Sequence, residues 1–209
     1  MNVAKSVAGF IDSHPNVRSC LKKGTINYSA LSREILKEKG LQKSSFEAVL
    51  VACRRYAEKA RLPAGQEKHI IALLRQSSFE IKSSICVVII SNLVPFSSII
   101  ELAAEITKER GLFHLIEGSE TFTIISEQRF YTKITQRFKH RMIEEKKDLV
   151  EIMVKMPREI EHVPGITGYL YSLFGENNIN ILETMSSWTD TLFVIEEKDA
   201  EKAMKILRV

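Results

Sequence analysis

The sequence predicts an α+β protein in which an N-terminal helical domain is followed by two ferredoxin-like βαββαβ units. Residues 1–75 repeat their apolar side chains with a helical period and show no strand alternation. From Phe79 onward, β-branched residues alternate along extended segments, as they do in strands. The order strand, helix, strand, strand, helix then occurs twice, which is typical of the split βαβ layout. We therefore predict domains at 1–76, 77–145 and 146–209.

The composition indicates a soluble globular protein. Of its 209 residues, 44% are hydrophobic and 27% are charged, which are ordinary shares for such a protein. Apolar runs stay well short of the roughly 20 residues that span a bilayer, and residues 1–5 lack the apolar segment of a signal peptide. We therefore expect a cytoplasmic protein with no membrane partner. Cys20, Cys53 and Cys86 have no metal-ligand spacing, so buried, reduced thiols are expected.

The charge is distributed unevenly along the chain. Residues 1–75 contain 14 Lys and Arg against 6 Asp and Glu, a net charge of +8. Residues 76–209 contain 16 against 20, a net charge of −4, and the two sums give the overall +4. This asymmetry indicates that the front of the chain and the remainder face different partners.

Five helices are predicted in the first domain. They cover residues 3–11, 17–23, 28–39, 46–57 and 67–76. Gly24 and Gly40 follow the second and third helices, where a left-handed cap is usual. Ser44 and Glu47 have the spacing of a capping box before the fourth helix. The segment Pro63-Ala64-Gly65 is interpreted as a hinge or turn.

The third and fourth predicted helices have the layout of a helix-turn-helix. In that motif the start of the second helix enters the major groove, and basic side chains neutralise phosphates. The candidate DNA-binding residues are Lys43, Ser44, Ser45, Ala48, Arg54 and Arg55, with Lys39 and Arg61 as further phosphate contacts. A plain helical bundle with a solvated basic face, or a module that binds another protein, explains the same pattern. Both alternatives stay open beside duplex DNA.

The rest of the chain contains two runs of strands and helices. The alternate apolar residues between Phe79 and Ile89 are predicted to share one face of the first strand. Ser98 and Glu101 repeat the capping-box spacing before a helix that ends at Gly111. Two strands at 112–117 and 121–126 and an amphipathic stretch at 127–142 complete the first unit. The second unit is predicted as strand 149–154, helix 166–174, strands 179–185 and 191–195, and helix 199–207.

Three segments of the second unit carry a family resemblance. They are Val163-Pro164-Gly165-Ile166-Thr167, Leu173-Phe174-Gly175-Glu176-Asn177-Asn178-Ile179-Asn180-Ile181 and Thr191-Leu192-Phe193-Val194-Ile195. In this order and spacing they resemble the ACT domain family, the ligand-binding regulatory modules of amino-acid metabolism. The segment Ser186-Ser187-Trp188-Thr189-Asp190-Thr191 looks most like the tandem regulatory region of aspartokinases. The resemblance covers about residues 149–208 and, less closely, 79–142.

The resemblance implies an amino-acid ligand held between two ACT units, with one unit giving a loop and the other a strand. The loop residues are His162, Val163, Pro164, Gly165, Ile166 and Thr167, and the residues on the second strand are Asn178, Ile179 and Asn180. A glycine lets a backbone approach a ligand closely, and amides at a helix start attract a carboxylate. An ordinary turn and a helix cap explain the same residues without a ligand. Aspartate-family products such as lysine and threonine are favoured by the resemblance.

Two departures from the family pattern lead to expectations about assembly. The first unit has Asn92-Leu93-Val94-Pro95-Phe96 where a glycine-bearing loop is usual, so it is expected to lend strand edges to the second unit. The second unit lacks the strand that normally follows its last helix, so either that strand comes from elsewhere, such as the segment Phe79–Ile90, or the unit is truncated. Open strand edges seek partners, so a homodimer or a higher homo-oligomer is expected.

The residues do not suggest catalysis or a cofactor. The sequence has no phosphate-binding glycine loop, and its five histidines are dispersed without metal-ligand spacing. We therefore expect a regulatory protein and not an enzyme. The favoured function is an amino-acid-responsive transcriptional regulator with an ACT sensor and a DNA-binding head. A regulatory subunit of an amino-acid biosynthetic enzyme and an assembly module without a ligand are the alternatives.

Overall fold

The computed structural model describes residues 2–60 and 66–208. The chain divides into two compact units, residues 1–66 and 67–209, which are called the helical unit and the α+β unit below. The division lies ten residues before the predicted boundary at 76, because helix α5 (Gln66–Arg75) buries its apolar side chains in the core of the α+β unit. The predicted hinge at 63–65 and the candidate Arg61 lie outside the described residues.

The helical unit, as far as it is described, contains four α-helices. They are α1 (Val3–Ser13), α2 (Pro15–Lys23), α3 (Tyr28–Glu38) and α4 (Phe46–Ala60). Asn2 and Asn27 cap α1 and α3 by accepting hydrogen bonds from the amides of Lys5 and Ala30. Gly24 ends α2 in the left-handed conformation, as predicted. The core of this unit contains Val7, Phe10, Ile11, Leu21, Leu31, Ile35, Leu36, Val49, Cys53 and Ala57.

Three local predictions are wrong. A 3₁₀ turn over Lys43–Ser45 precedes α4, and the Ser44 hydroxyl donates to Gln42 Oε1 at 3.4 Å in place of the capping role expected with Glu47. Helix α6 begins at Phe96, directly after Pro95, and has no side-chain cap. Proline presets the backbone for helix entry, so the helix starts two residues before Ser98. Cys20 is exposed, whereas the other two cysteines are buried as predicted.

The described part of the α+β unit contains one six-stranded antiparallel sheet with the order β2-β3-β1-β4-β6-β5. The strands are β1 (Ser78–Ser91), β2 (Phe113–Glu117), β3 (Thr121–Glu127), β4 (Met142–Lys155), β5 (Glu183–Ser187) and β6 (Asp190–Glu196). Four further helices follow α5 in the chain. They are α6 (Phe96–Lys108), α7 (Tyr131–Phe138), α8 (Ile166–Glu176) and α9 (Ala200–Leu207).

The two long central strands each serve both halves of this sheet. The second part of β1, from Ile85, pairs with β3 on one side and with the first part of β4 on the other. The second part of β4, from Leu149, pairs with β6 on one side and with the first part of β1, residues 78–82, on the other. Each half therefore has four strand segments. The strand missing from the second unit comes from the beginning of the first strand, within the segment that the sequence suggested.

A left-handed residue divides each long strand at its midpoint. Ser84 has a φ of +55° and Asp148 a φ of +56°, and the pairing register shifts beside both. One extra residue moves the following side chains to the opposite face. The prediction that the apolar residues from Phe79 to Ile89 share one face is therefore wrong. Phe79 packs against the helices of the second half, whereas Ile85 and Val87 lie on the other face of the sheet.

Helices cover one face of each half. Helices α6 and α7 cover the first half, and α5, α8 and α9 cover the second half. The opposite faces of the two halves, called the inner faces here, meet in a separate apolar cluster. Its buried members are Ile85, Val87, Ile125, Leu149, Leu192 and Val194. The two predicted units are thus halves of one sheet that share a common core.

Contacts across the inner faces show that the sheet is strongly bent. His114 Nε2 on β2 lies 3.2 Å from Glu151 Oε2 on β4. These strands are three positions apart in the sheet, which would separate them by about 14 Å if the sheet were flat. Lys82 Nζ lies 3.9 Å from the other oxygen of Glu151. The bend thus places a buried carboxylate of the second half against a histidine of the first.

Candidate ligand-binding groove

The predicted ligand loop, residues 162–167, lies at the N-terminal end of α8. A 3₁₀ turn over Arg158–His162 leads into it, and the side chains of Val163 and Ile166 pack against the core beneath α8. Gly165 has a φ of +92°, which strains any residue with a Cβ, so the fold itself requires glycine here. The Pro-Gly turn therefore has a structural role regardless of a ligand. The exposed residues of the loop are His162, Pro164, Gly165 and Thr167.

The second predicted set lies at the opposite end of α8. Asn178, Ile179 and Asn180 precede β5 and are not part of it, so their placement on a strand is wrong. Asn178 leaves the helix with a φ of +54°, and the pairing with β6 begins later, where the Leu182 amide donates to a carbonyl at 2.8 Å. The 11 residues of α8 separate the two sets by about 16 Å. Within this half, the structure does not bring them together.

A groove of about 390 Å³ opens at the C-terminal end of α8. Its lining residues are Ile116, Tyr171, Gly175, Ile179, Asn180, Ile181, Leu182, Glu183 and Thr184. Pockets for small molecules commonly measure about 300–1,000 Å³. Ile179 and Asn180 thus lie in the wall of a groove of suitable size, while the loop at the other end of α8 does not contribute to its lining.

One wall of the groove is held in place by hydrogen bonds and aromatic packing. The Tyr171 hydroxyl donates to Thr184 Oγ1 at 3.1 Å, and Thr184 Oγ1 donates to the Leu192 carbonyl at 2.9 Å. The Tyr171 ring packs edge-on against Phe193, with 5.8 Å between centroids. A Cβ placed on Gly175 would have open space around it. The wall is therefore ordered, and the space beside it is free.

Glu183 contributes a partly buried carboxyl to the lining of the groove. Burial raises the pKa of this carboxyl above its ordinary value, and Lys146 opposes that shift while Glu144 adds to it. A desolvated carboxylate gains stability when a cation comes close. The same side chain borders a narrow space of about 20 Å³ that continues between the halves. The groove therefore offers a site at which an ammonium group would be favoured.

The first half contributes to the groove through Ile116 on β2. Strands β2 and β5 lie at opposite ends of the strand order, and only the bend of the sheet brings Ile116 near Thr184. This arrangement agrees with the expectation that the first unit lends a strand edge to the second. The sequence analysis missed Ile116, Tyr171, Glu183 and Thr184. In the sequence they resemble ordinary strand and helix residues, and no local pattern marks them.

The DNA-binding candidates lie around the start and middle of α4 in the helical unit. Lys43, Ser44, Arg54 and Arg55 are exposed. Ala48 and Arg55 line a groove between α1 and α4 whose other walls are mostly apolar. Exposure and positive charge are required for binding to DNA, but they are also common on surfaces that bind proteins. DNA binding stays a prediction.

Among residues 2–60 and 66–208, no group of three or more His, Cys, Asp or Glu side chains is placed to hold a metal ion. In the same described part of the chain, every helix is too short or too polar to cross a bilayer.

Comparison with known proteins gives matches at the level of structure. No protein-family model and no curated protein matches the sequence. An aspartate kinase from Clostridium acetobutylicum, described as an allosteric enzyme, matches with a TM-score of 0.52 and 17% identity over 63% of this chain and 34% of its own. A structure of aspartokinase alpha and beta subunits matches with a TM-score of 0.50 and 13% identity over 62% of this chain and 94% of its own.

Aspartokinase III from E. coli, solved with aspartate and ADP, matches with a TM-score of 0.50 and 9% identity over 62% of this chain and 32% of its own. The present chain thus spans about a third of the length of two of these three enzyme chains. At these identities the likeness shows the fold. About 62–63% of this chain therefore shares a fold with these aspartokinase chains. A helix-turn-helix domain is not shown by this likeness.

Proposed function

We propose that the protein is a non-catalytic, amino-acid-responsive regulatory protein that binds its ligand in the groove at the C-terminal end of α8. One observation carries this proposal. Ile179 and Asn180, which the ACT resemblance marks as ligand residues, line a groove of about 390 Å³ in a unit with an ACT-like fold. The loop at the other end of α8 is the alternative location within the same unit.

The groove has groups that match both ends of an amino acid. Glu183 offers a desolvated carboxylate to the α-ammonium group. The Asn180 amide, in the lining of the groove, would donate to the carboxylate. Ile116, Ile181 and Leu182 provide an apolar surface for an aliphatic side chain. The resemblance makes aspartate-family amino acids the first ligands to test.

A ligand in this groove would act on the arrangement of the two halves. It would touch Ile116 of the first half and Glu183 of the second half at the same time. A ligand that prefers one arrangement of the halves shifts the population toward it. The regulatory output would then follow from the changed orientation of surfaces on the α+β unit.

The experiment is a thermal-shift panel of the twenty amino acids at millimolar concentration, followed by calorimetric titration of any amino acid that stabilises the protein. A ligand present at a hundredfold excess over its Kd raises stability by about 2.7 kcal/mol. Glu183→Gln and Asn180→Ala are expected to weaken binding by about tenfold or more, since each removes a polar contact to the ligand. The matched control is Thr167→Ala, at the other end of α8.

The outcomes separate the two locations. Loss of binding in Glu183→Gln with retention in Thr167→Ala supports the groove. The reverse pattern places the ligand at the loop of residues 162–167 and overturns the groove. Absence of stabilisation by every amino acid overturns the sensor function itself and leaves an assembly role. For the helical unit, the regulatory-subunit alternative is favoured over DNA binding by the apolar groove between α1 and α4.

A further inference from the structure

A groove of about 660 Å³ runs between α1 and α4 in the helical unit. Its lining is mostly aliphatic. The aliphatic part of the lining includes Ala4 and Ala8 of α1 and Ala48, Val51 and Ala52 of α4. The alanines on both helices leave space where longer side chains would otherwise fill the gap. Val51 is 43% exposed on the α4 wall, so apolar surface faces solvent along the groove.

The groove is a fixed feature of the unit and not a loose gap. The Tyr56 hydroxyl of α4 donates to the Asp12 carboxylate near the end of α1. Below it, Val7 of α1 and Cys53 of α4 are fully buried in the common core. These contacts hold α1 and α4 at a set separation, and the floor of the groove is therefore preformed.

The charges at the groove are ordered along α4. Glu47 lies in the first turn of α4, and Arg55 and Lys59 lie in its second half. Residues 47 and 59 are separated by about 18 Å along the helix axis. An α-helix carries partial positive charge at its N-terminus and partial negative charge at its C-terminus. A docked helix of about 12 residues therefore matches the groove when it runs parallel to α4.

We propose that this groove binds an amphipathic helix of a partner protein. The helix presents an apolar stripe at positions i, i+3, i+4 and i+7 to the alanine and valine walls. Its N-terminal end lies near Glu47, and acidic side chains in its last turns pair with Arg55 and Lys59. The net charge of +8 on residues 1–75 attracts such a helix from a distance.

The positions of Arg54 and Arg55 allow binding of a helix to be distinguished from binding of DNA. Arg54 and Arg55 are adjacent, exposed and equally basic, but only Arg55 is among the groove residues. A nucleic-acid phosphate backbone responds to both charges in a similar way. A helix seated in the groove responds to Arg55 and to Val51, and hardly to Arg54. The pair of arginines therefore provides a matched comparison within one turn of one helix.

The test uses the full chain and a phage-displayed library of helix-forming peptides of about 16 residues. Selected peptides are expected to carry the apolar stripe together with Glu or Asp in their C-terminal half. Fluorescence anisotropy then gives the affinity of one selected peptide for the protein and for three variants. Val51→Asp and Arg55→Glu are expected to weaken binding by about tenfold or more, whereas Arg54→Glu changes it by about threefold or less. Circular dichroism of each variant verifies that the helices remain folded.

Four outcomes overturn the proposal. The first is a selection that yields no enriched peptide, and the second is a selected peptide whose affinity is unchanged in both groove variants. Equal weakening by Arg54→Glu and Arg55→Glu, with salt-dependent binding of duplex DNA, assigns the surface to nucleic acid. A dimer that dissociates in Val51→Asp, measured by sedimentation, assigns the groove to a second copy of this chain. If Val51→Asp unfolds the unit, the comparison of Arg54→Glu with Arg55→Glu still distinguishes binding of a helix from binding of nucleic acid.

Discussion

Replacement of His114 by leucine is expected to destabilise the α+β unit by about 3 kcal/mol. The Glu151 carboxylate is 1% exposed, and His114 Nε2 lies 3.2 Å from one of its oxygens. Removing the partner of a buried carboxylate costs about 3–5 kcal/mol, since the carboxylate remains buried without compensation. The lower end of this range applies to His114→Leu, because Lys82 Nζ remains 3.9 Å from the Glu151 carboxylate. That lysine is 45% exposed, so solvent weakens its contribution.

The contact between His114 and Glu151 is a close approach of two buried polar atoms. Although the two atoms are close, neither His114 Nε2 nor Glu151 Oε2 has a hydrogen bond of acceptable angle to any described residue. Replacing both residues by leucine removes the buried charge together with its partner. That double variant is expected to lie within about 1 kcal/mol of the original protein.

The assay is urea denaturation at neutral pH, followed by far-ultraviolet circular dichroism and by the fluorescence of Trp188, the single tryptophan. With a slope of about 2 kcal/mol per molar urea, a loss of 3 kcal/mol lowers the midpoint by about 1.5 M. Trp188 lies in the turn between β5 and β6, so its signal reports on the α+β unit. A loss below about 1 kcal/mol in His114→Leu, or a double variant no more stable than the single one, would refute the argument that this pair is coupled across the bend.

Three further predictions concern close packing, thiol exposure and pH. Gly111→Ala is expected to lower stability by about 1–3 kcal/mol, because its Cβ would lie 2.2 Å from a ring carbon of Phe130. The control Gly168→Ala, which meets nothing within 4 Å inside α8, is expected to be neutral or stabilising in the same thermal melts. Cys20 is the exposed thiol of three, so Ellman's reagent should titrate one thiol in the native protein and three after denaturation. Burial raises the pKa of Glu183, so its folded form binds a proton more tightly than the unfolded chain does. Its contribution to stability is therefore present below the ordinary carboxyl pKa and is lost as pH rises through the raised one. In denaturation experiments across pH, the free energy of unfolding of Glu183→Gln should rise relative to that of the original protein as pH increases from about 4. A difference in stability that stays constant with pH would contradict burial as the cause of the raised pKa of Glu183.

The helical unit could be predicted from the sequence because its signals are local. Helix α2 ends at Gly24 since glycine adopts a φ of +72° there at no cost, and this requirement is visible in one residue. The helical period likewise identifies the side of α4 that carries Val49, Cys53 and Ala57 into the core. The same local reasoning failed at α6, where Pro95 and not the spacing of Ser98 and Glu101 sets the first residue.

The shape of the sheet could not be predicted in the same way. Ser84 and Asp148 have residue types that occur in many strands, and nothing in the sequence marks their left-handed conformation. Each interrupts a strand only because the two long strands pair with each other, across about 64 residues of chain. Such long-range pairing depends on the whole unit. The alternating pattern was therefore assigned correctly to a strand and wrongly to one face.

For a related reason, one wall of the candidate groove could be predicted from the sequence and the rest could not. Asn180 belongs to a short segment that the ACT resemblance identifies, so sequence reasoning reached one wall. Ile116 comes from the other half of the sheet, and Glu183 acquires its raised pKa through burial. Both properties are consequences of the bend. They appear only when the fold has closed.

Strand sharing also explains how a small ligand could have a large effect. Because β1 and β4 each pass through both halves, neither half has its full set of strands without the other. The inner-face cluster and the contact between His114 and Glu151 connect the halves a second time. The two halves are therefore expected to respond as one cooperative unit. A ligand bound between Ile116 and Glu183, as proposed, would act on the bend that both halves share, so its binding energy would be available to bias the arrangement of the entire sheet.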